Sequence, residues 1–175
     1  MAGFTHVYYG DGKGKTTAAL GLALRAIGCG LAVVIVQFLK DWNCGELNSL
    51  ALLHGVTVLR GKAAGSAFVR DMSDSEKSET KSIHDGNLRS ALELVRDGSC
   101  DLLVLDEAID ALNLGLLDSG LLFELLNGKP EALELVITGH NPDVEVLSHA
   151  DYVTQMVKRK HPYDSGVGAR RGIEF

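Results

Sequence analysis

The run Tyr9-Gly10-Asp11-Gly12-Lys13-Gly14-Lys15-Thr16-Thr17 constrains this chain more than any other segment. A β-branched and aromatic stretch, Thr5-His6-Val7-Tyr8-Tyr9, precedes it, and an Ala/Leu-rich stretch from Ala18 to Ala26 follows. The first reads as a strand and the second as a helix. Strand, glycine loop, Lys-Thr, helix is the layout that wraps a phosphate. Glycine reaches positive φ and so turns successive backbone N–H groups inward. The helix adds unpaired N–H groups and the positive end of its dipole. In such a loop Lys15 reaches the terminal phosphates and Thr16 holds Mg²⁺. The chain is therefore expected to bind a nucleoside triphosphate through Gly10, Asp11, Gly12, Lys13, Gly14, Lys15, Thr16 and Thr17.

The spacing departs from G-x-x-x-x-G-K-[ST]. Tyr9 stands where the first glycine belongs, so the loop is one residue short, and a second lysine, Lys13, lies inside it. The short loop implies that the triphosphate lies differently from that of an ordinary ATPase.

Apolar, β-rich runs alternate with helical patterns along the rest of the chain. Strands are expected at Thr5–Tyr9, Leu31–Phe38, Val56–Leu59, Asp101–Leu105, Glu134–Thr138 and Tyr152–Met156. Several are continuously apolar, as strands buried on both faces of a parallel sheet must be. Helices are expected at Thr16–Ile27, Ser73–Asp97, Ser119–Leu126 and Pro142–Ser148. The sequence Ser73-Asp74-Ser75-Glu76 is a capping box at the start of the longest. This alternation predicts an α/β, three-layer P-loop NTPase-like fold with a mostly parallel central sheet, in a single domain over residues 1–175. Ligands of open α/β sheets bind at the carboxyl ends of strands. Four polar features fall there: the glycine loop, Gln37-Phe38-Leu39-Lys40, Asp106-Glu107 and Thr138-Gly139-His140.

Leu102-Leu103-Val104-Leu105-Asp106-Glu107 is an apolar run that ends in two acids. It reads as the strand whose carboxylate orders Mg²⁺ (or Mn²⁺) beside the phosphates, largely through water. Thr16, Asp106 and Glu107 are thus the candidate metal residues. Glu107 has three open roles: activating water, holding the metal, or contacting the ribose.

Composition excludes other classes. The net charge of −6 argues against a general nucleic-acid binder, which needs a basic face. No apolar run approaches the ~18–20 residues of a membrane span. Three cysteines, Cys29, Cys44 and Cys100, lack C-x-x-C spacing and fit a reduced, cytoplasmic protein without a signal peptide. Cys29 and Cys100 are expected in or near the core. Read from these residues alone, the chain is an ordinary ATPase or small-molecule kinase, or a non-catalytic nucleotide-binding switch.

Further motifs carry a resemblance over nearly the whole chain. Gly10 to Ala19 is similar to G-[ND]-G-K-G-K-T-T-A-A, the shortened loop of the P-loop type ATP:corrinoid adenosyltransferases. Val36-Gln37-Phe38-Leu39-Lys40 resembles their V-Q-F-[IL]-K segment, and Gly45-Glu46 the G-E that follows it. Val104-Leu105-Asp106-Glu107 matches V-L-D-E, and Ile137-Thr138-Gly139 matches [IL]-T-G. The tail from Lys160 to Phe175 resembles K-H-x-[FY]-x-x-G-x-x-A-[RQ]-x-G-I-[DE]-[YF]. Arg25 matches an arginine that the family carries at the same distance from the loop. The sequence differs from the pattern where Arg60 to Met72 lacks T-G-F-x-W, and where His140 replaces an arginine after T-G.

The resemblance implies a transferase in adenosylcobalamin synthesis or salvage. A Co(I) corrinoid attacks C5′ of ATP and displaces triphosphate, with ATP lying in the loop in reverse sense. Lys13 and Lys15 would stabilise the leaving triphosphate, the electrostatic task of such a site. Cobalt is the nucleophile, so Glu107 need not activate water. Arg25 would belong to the ligand-binding set, and Phe68 and Trp42 are the aromatic candidates for the corrinoid. The resemblance further implies a homodimer, and an electron donor that reduces the corrinoid.

Overall fold

A computed structural model describes residues 2–63 and 69–174. Six strands form one sheet: β1 Thr5–Tyr9, β2 Val33–Gln37, β3 Val56–Arg60, β4 Leu102–Asp106, β5 Glu134–Gly139 and β6 Tyr152–Gln155. Their spatial order is β3-β2-β4-β5-β1-β6 and every pairing is parallel. The sheet is thus wholly rather than mostly parallel. All six expected strands are present, with ends shifted by up to two residues.

The helices are α1 Lys15–Gly28, α2 Gly45–Leu50, α3 Asp74–Arg96, α4 Ala108–Asn113, α5 Ser119–Gly128 and α6 Val144–Ser148. The capping box of α3 forms as expected, with the Ser73 side chain on the Glu76 N–H and the Glu76 carboxylate on the Ser73 N–H. The short helices α2 and α4 were not foreseen. At six residues each they carry too little periodic pattern to announce themselves.

Alternate residues along the strands enter two separate cores. Val34, Val36, Leu103, Leu105, Leu135 and Ile137 pack with Leu88, Leu92, Ile109 and Leu122 from α3, α4 and α5. Val33, Ile35, Leu102, Val104 and Val136 pack with Ala19, Ala23 and Ala26 of α1 and Leu50 of α2. These two apolar layers on one sheet make the three-layer architecture, and they explain why the central strands read as unbroken apolar runs. The alanines of α1 let the helix lie close to the sheet and so bring its N-terminus down onto the strand ends. Cys100 is buried, but Cys29 is exposed, because it caps the end of α1 rather than facing the core. No helix among the described residues is long and apolar enough to cross a membrane.

Candidate active site

The glycine loop runs from the end of β1 to the start of α1. Gly10 adopts φ +113°, and its N–H donates to the carbonyls of Gly139 and His140 at 3.2 and 3.1 Å. A Cβ on Gly10 would lie 2.4 Å from the Met156 carbonyl oxygen. Gly12 donates its N–H to that same oxygen at 2.8 Å. The first half of the loop is therefore stitched to β5 and β6. Its second half opens onto α1, which Gly14 caps without a side-chain hydrogen bond. The first-turn N–H groups of α1 have no acceptor within the helix, the arrangement that receives an anion.

The charged loop residues diverge. The Lys15 ammonium curls over the loop and donates to the carbonyls of Gly10 at 2.7 Å and Gly12 at 3.0 Å. Burial pulls its pKa down, against the opposing pull of Asp110, Glu107, Asp11 and Asp106. Lys13 points outward to the tail and pairs with Glu174 at 2.8 Å. Glu174 also pairs with Arg170, and together these cations hold its carboxyl down at about 2. The Asp11 carboxylate accepts the Lys158 N–H at 2.9 Å, which lowers its pKa and ties the loop to the chain beyond β6.

Asp106, fully buried at the end of β4, organises the floor of the site. One carboxylate oxygen accepts the hydroxyls of Thr16 at 2.8 Å and Thr138 at 2.9 Å. The other accepts the Lys40 ammonium at 2.7 Å. Lys40 also lies 3.2 Å from Glu107 Oε1 and 3.3 Å from Thr16 Oγ1. Burial lowers the Lys40 pKa, but Asp106 and Glu107 outweigh it and the net shift is upward. Glu107 stands at φ +62°, its N–H held by the Thr138 hydroxyl at 2.9 Å. Burial raises the Glu107 pKa, with Asp106 and Asp110 adding to it and Lys40 opposing.

Thr16, Asp106 and Glu107 offer only oxygen donors, the set that suits Mg²⁺ or Mn²⁺. Among the described residues no group of three or more His, Cys, Asp or Glu could cage a metal by itself. The donor set therefore fits a cation that takes its remaining ligands from phosphate and water.

A cavity of ≈ 640 Å³ adjoins this floor. Thr16, Thr17, Leu20, Lys40, Glu46 and the tail residue Ile173 are among its walls. It lies between α1, α2 and the tail, and it is large enough for a small-molecule ligand. Thr17 thus faces ligand space beside Thr16. Trp42 is half-exposed on the segment leading to α2, its carbonyl accepting from Arg60 at 2.8 Å, and it is not among the cavity walls. Phe68 lies outside the described residues. Arg25 is not brought to the loop. It sits in the last turn of α1, and the rise of a helix separates it from Thr16 by roughly 13 Å. It lines a different cavity with Leu31, Asp101 and Glu134, at the amino-terminal edge of the sheet.

Lys40, Thr138 and Gln37 join the site although neither the glycine loop nor the acidic pair includes them. Each had a signal, since each stands at or just beyond the carboxyl end of a strand. Gln37, fully buried, reaches Asp106 at 3.5 Å through its amide nitrogen. Asp110 gave no signal. It pairs with His140 at 2.9 Å beside the loop, on a helix too short to foresee.

Comparison with known proteins accounts for this arrangement. The family model described as ATP:corrinoid adenosyltransferase BtuR/CobO/CobP matches residues 1–175. A corrinoid adenosyltransferase of Escherichia coli K12 is 35% identical over 174 residues, which cover 99% of this chain and 86% of that protein. Corrinoid adenosyltransferase CobA of Salmonella typhimurium LT2 is 33% identical over 174 residues, with the same two coverages. One from a Sinorhizobium species is 33% identical over 181 residues, covering 99% of this chain and 80% of its own. With the match running from the first residue to the last, through loop, acidic pair and tail alike, this chain belongs to the ATP:corrinoid adenosyltransferase family.

Proposed function

We propose that this chain transfers the 5′-deoxyadenosyl group of ATP to a Co(I) corrinoid. The Co(I) electron pair forms the Co–C5′ bond. The C5′–O bond breaks, and its electron pair leaves with triphosphate. The observation that carries this reading is the convergence of Lys15, Thr16, Asp106 and Lys40 at one edge of the sheet, in a chain whose family performs ATP-dependent corrinoid adenosylation.

The residues divide the work. The loop from Gly10 to Gly14 and the first turn of α1, with Thr16 and Thr17, bind the triphosphate. Lys15 offsets the charge that builds on it as it leaves, the electrostatic contribution expected of such groups, and Lys13 joins it on exchanging its Glu174 partner for phosphate. Thr16, Asp106 and Glu107 hold Mg²⁺ or Mn²⁺, whose charge assists the same departure. No proton has to be removed from the cobalt nucleophile. Glu107, shared with Asp106 on one lysine, accordingly serves as a ligand and counter-charge rather than a base. Trp42 and Phe68 are the aromatic side chains proposed for the corrinoid, which an electron donor reduces to Co(I). The enzyme is proposed to act in the cytoplasm as a homodimer.

The test uses the protein with MgATP and chemically pre-reduced corrinoid under anaerobic conditions. Triphosphate release together with the spectrum of a Co–C bond is the expected result. Lys15→Ala should abolish both at subsaturating ATP. Orthophosphate release that does not depend on corrinoid would overturn the reading.

A further inference from the structure

His84 is a fully buried histidine on α3, remote in sequence from every motif of the site. Its two ring nitrogens have fixed and opposite roles. Nδ1 lies 2.8 Å from the Leu116 carbonyl oxygen, so it carries the proton and donates. Nε2 lies 3.1 Å from the Leu39 nitrogen, so it accepts the Leu39 N–H. The Phe38 ring stands edge-on to the imidazole at 5.2 Å. The two residues gripped by His84 are thus the two that follow β2 and precede Lys40.

Leu39 is at φ +60°, a left-handed conformation that a residue with a Cβ avoids. Such a backbone persists when its surroundings over-determine it, and such residues gather at functional sites. The hydrogen bond to His84 is one constraint, and the Phe38 N–H on the Asp106 carbonyl at 3.0 Å is another. Between them they turn the chain at Leu39 so that the next side chain, Lys40, enters the floor of the site instead of following the sheet into solvent. There it meets Asp106, Glu107 and Thr16 at 2.7, 3.2 and 3.3 Å. A core histidine with only a packing role needs no acceptor aimed at a strained loop.

We propose that Lys40 is a further cation of the triphosphate and metal site, and that His84 is the positioning residue that fixes it there through Leu39. This rests on the reading that MgATP binds at the glycine loop. Burial holds the His84 pKa below its ordinary value, against the backbone carbonyls of Leu116 and Gly61 and the charge of Asp85, which keeps Nε2 free to accept.

Two near-isosteric substitutions separate the two hydrogen bonds. In His84→Gln the side-chain oxygen reaches the Nε2 position and keeps the Leu39 tether. In His84→Asn the side-chain amide reaches only the Nδ1 position and keeps the Leu116 anchor. MgATP affinity is measured by calorimetry, and fold stability by denaturant titration, on both variants. Expected is a Kd for His84→Gln within about twofold of the parent and one for His84→Asn weaker by about tenfold, the scale of one hydrogen bond lost beside charged groups. In the Lys40→Met background, His84→Asn should weaken binding no further, because its effect passes through Lys40. Equal affinities for the Gln and Asn variants would overturn the proposal. So would a loss that follows stability rather than the Leu39 bond, or one that persists undiminished without Lys40. Lys15→Ala is the control. If it binds MgATP normally, the loop reading itself fails. If it does not bind while His84→Asn binds like the parent, only the role of His84 fails.

Discussion

Lys40, just beyond the end of β2, and Asp106, the last residue of neighbouring β4, form a buried ion pair, Nζ to Oδ2 at 2.7 Å. Glu107 is a second carboxylate on the same ammonium at 3.2 Å. One buried cation therefore balances two acids, and the two directions of breaking the cluster are unequal.

Asp106→Asn leaves Lys40 with Glu107 as counter-ion, whereas Lys40→Met leaves two adjacent carboxylates without the cation they pair with. Removing one partner of a buried pair typically costs about 3–5 kcal/mol. Lys40→Met should reach that range, and Asp106→Asn should fall below it. Urea unfolding of both variants, without nucleotide, checks the order. A greater loss for Asp106→Asn would show that its threonine bonds, not the ion pair, dominate.

Glu107→Gln should move the metal requirement more than the rate. If Glu107 were a general base, turnover at saturating MgATP would fall by about 10²–10⁴-fold. As a ligand and counter-charge, it should instead raise the Mg²⁺ concentration needed for half-maximal adenosylation, with a loss in saturated rate below about 10²-fold. Steady-state rates across a Mg²⁺ titration distinguish the two.

Gly139→Ala should destabilise the fold and loosen the loop together. Gly139 sits at φ +157°, and a Cβ there would lie 2.5 Å from Ile109 Cβ and 2.8 Å from Asp110 Oδ2. The Gly139 carbonyl also accepts the Gly10 N–H. Overpacking of this kind costs about 1–3 kcal/mol, and here it would push α4 away from the loop. The midpoint of thermal unfolding should drop, and the drop should be smaller in a Gly139→Ala, Asp110→Ala double variant, which clears the carboxylate contact. Additive losses would count against the clash.

Stability should decline as pH falls below the ordinary histidine value of 6.5, with His84 one cause. Its folded pKa lies below that of the unfolded chain. Between the two values the unfolded chain binds a proton that the folded one refuses, so acid favours unfolding by up to about 1.4 kcal/mol per pH unit. The backbone bonds to Leu116 and Gly61 and the charge of Asp85 oppose the shift without cancelling it. Denaturant titrations at pH 7.5 and 5.5 should show a larger loss in the parent than in His84→Gln. Equal losses would exclude this histidine as a source.

Native thiol labelling should be confined to Cys29, which is exposed at the end of α1. Burial is the main cause that pushes the Cys44 thiol up to about 11 and Cys100 up to about 12, so little thiolate exists at neutral pH. Titration with an aromatic disulfide reagent should give one fast thiol in buffer and three in denaturant. Fast reaction at Cys44 would mean that the segment before α2 opens readily.

Local pattern in the sequence determined a good deal. A strand, a glycine loop and an amphipathic helix declare themselves over a few residues, because backbone permissiveness and side-chain period are local properties. The same holds for the capping box at Ser73 and for the apolar run into Asp106. These placed the loop and the acidic pair at strand ends, and the family motifs named the reaction.

Tertiary structure alone decided which side chains meet. Arg25 shares a helix with Thr16 yet faces the opposite edge of the sheet, since helical rise carries it away. Lys13 and Lys15 are two residues apart, but one serves the tail and the other the loop. Lys40 reaches Asp106 across 66 positions, and only because β2 and β4 are neighbours and Leu39 accepts a left-handed turn. His84 touches that turn from α3 on the other side of the core. Contacts of this kind depend on strand order and on a few backbone angles held by distant partners. Neither has a local sequence signature, because their cause is the packing of the whole sheet.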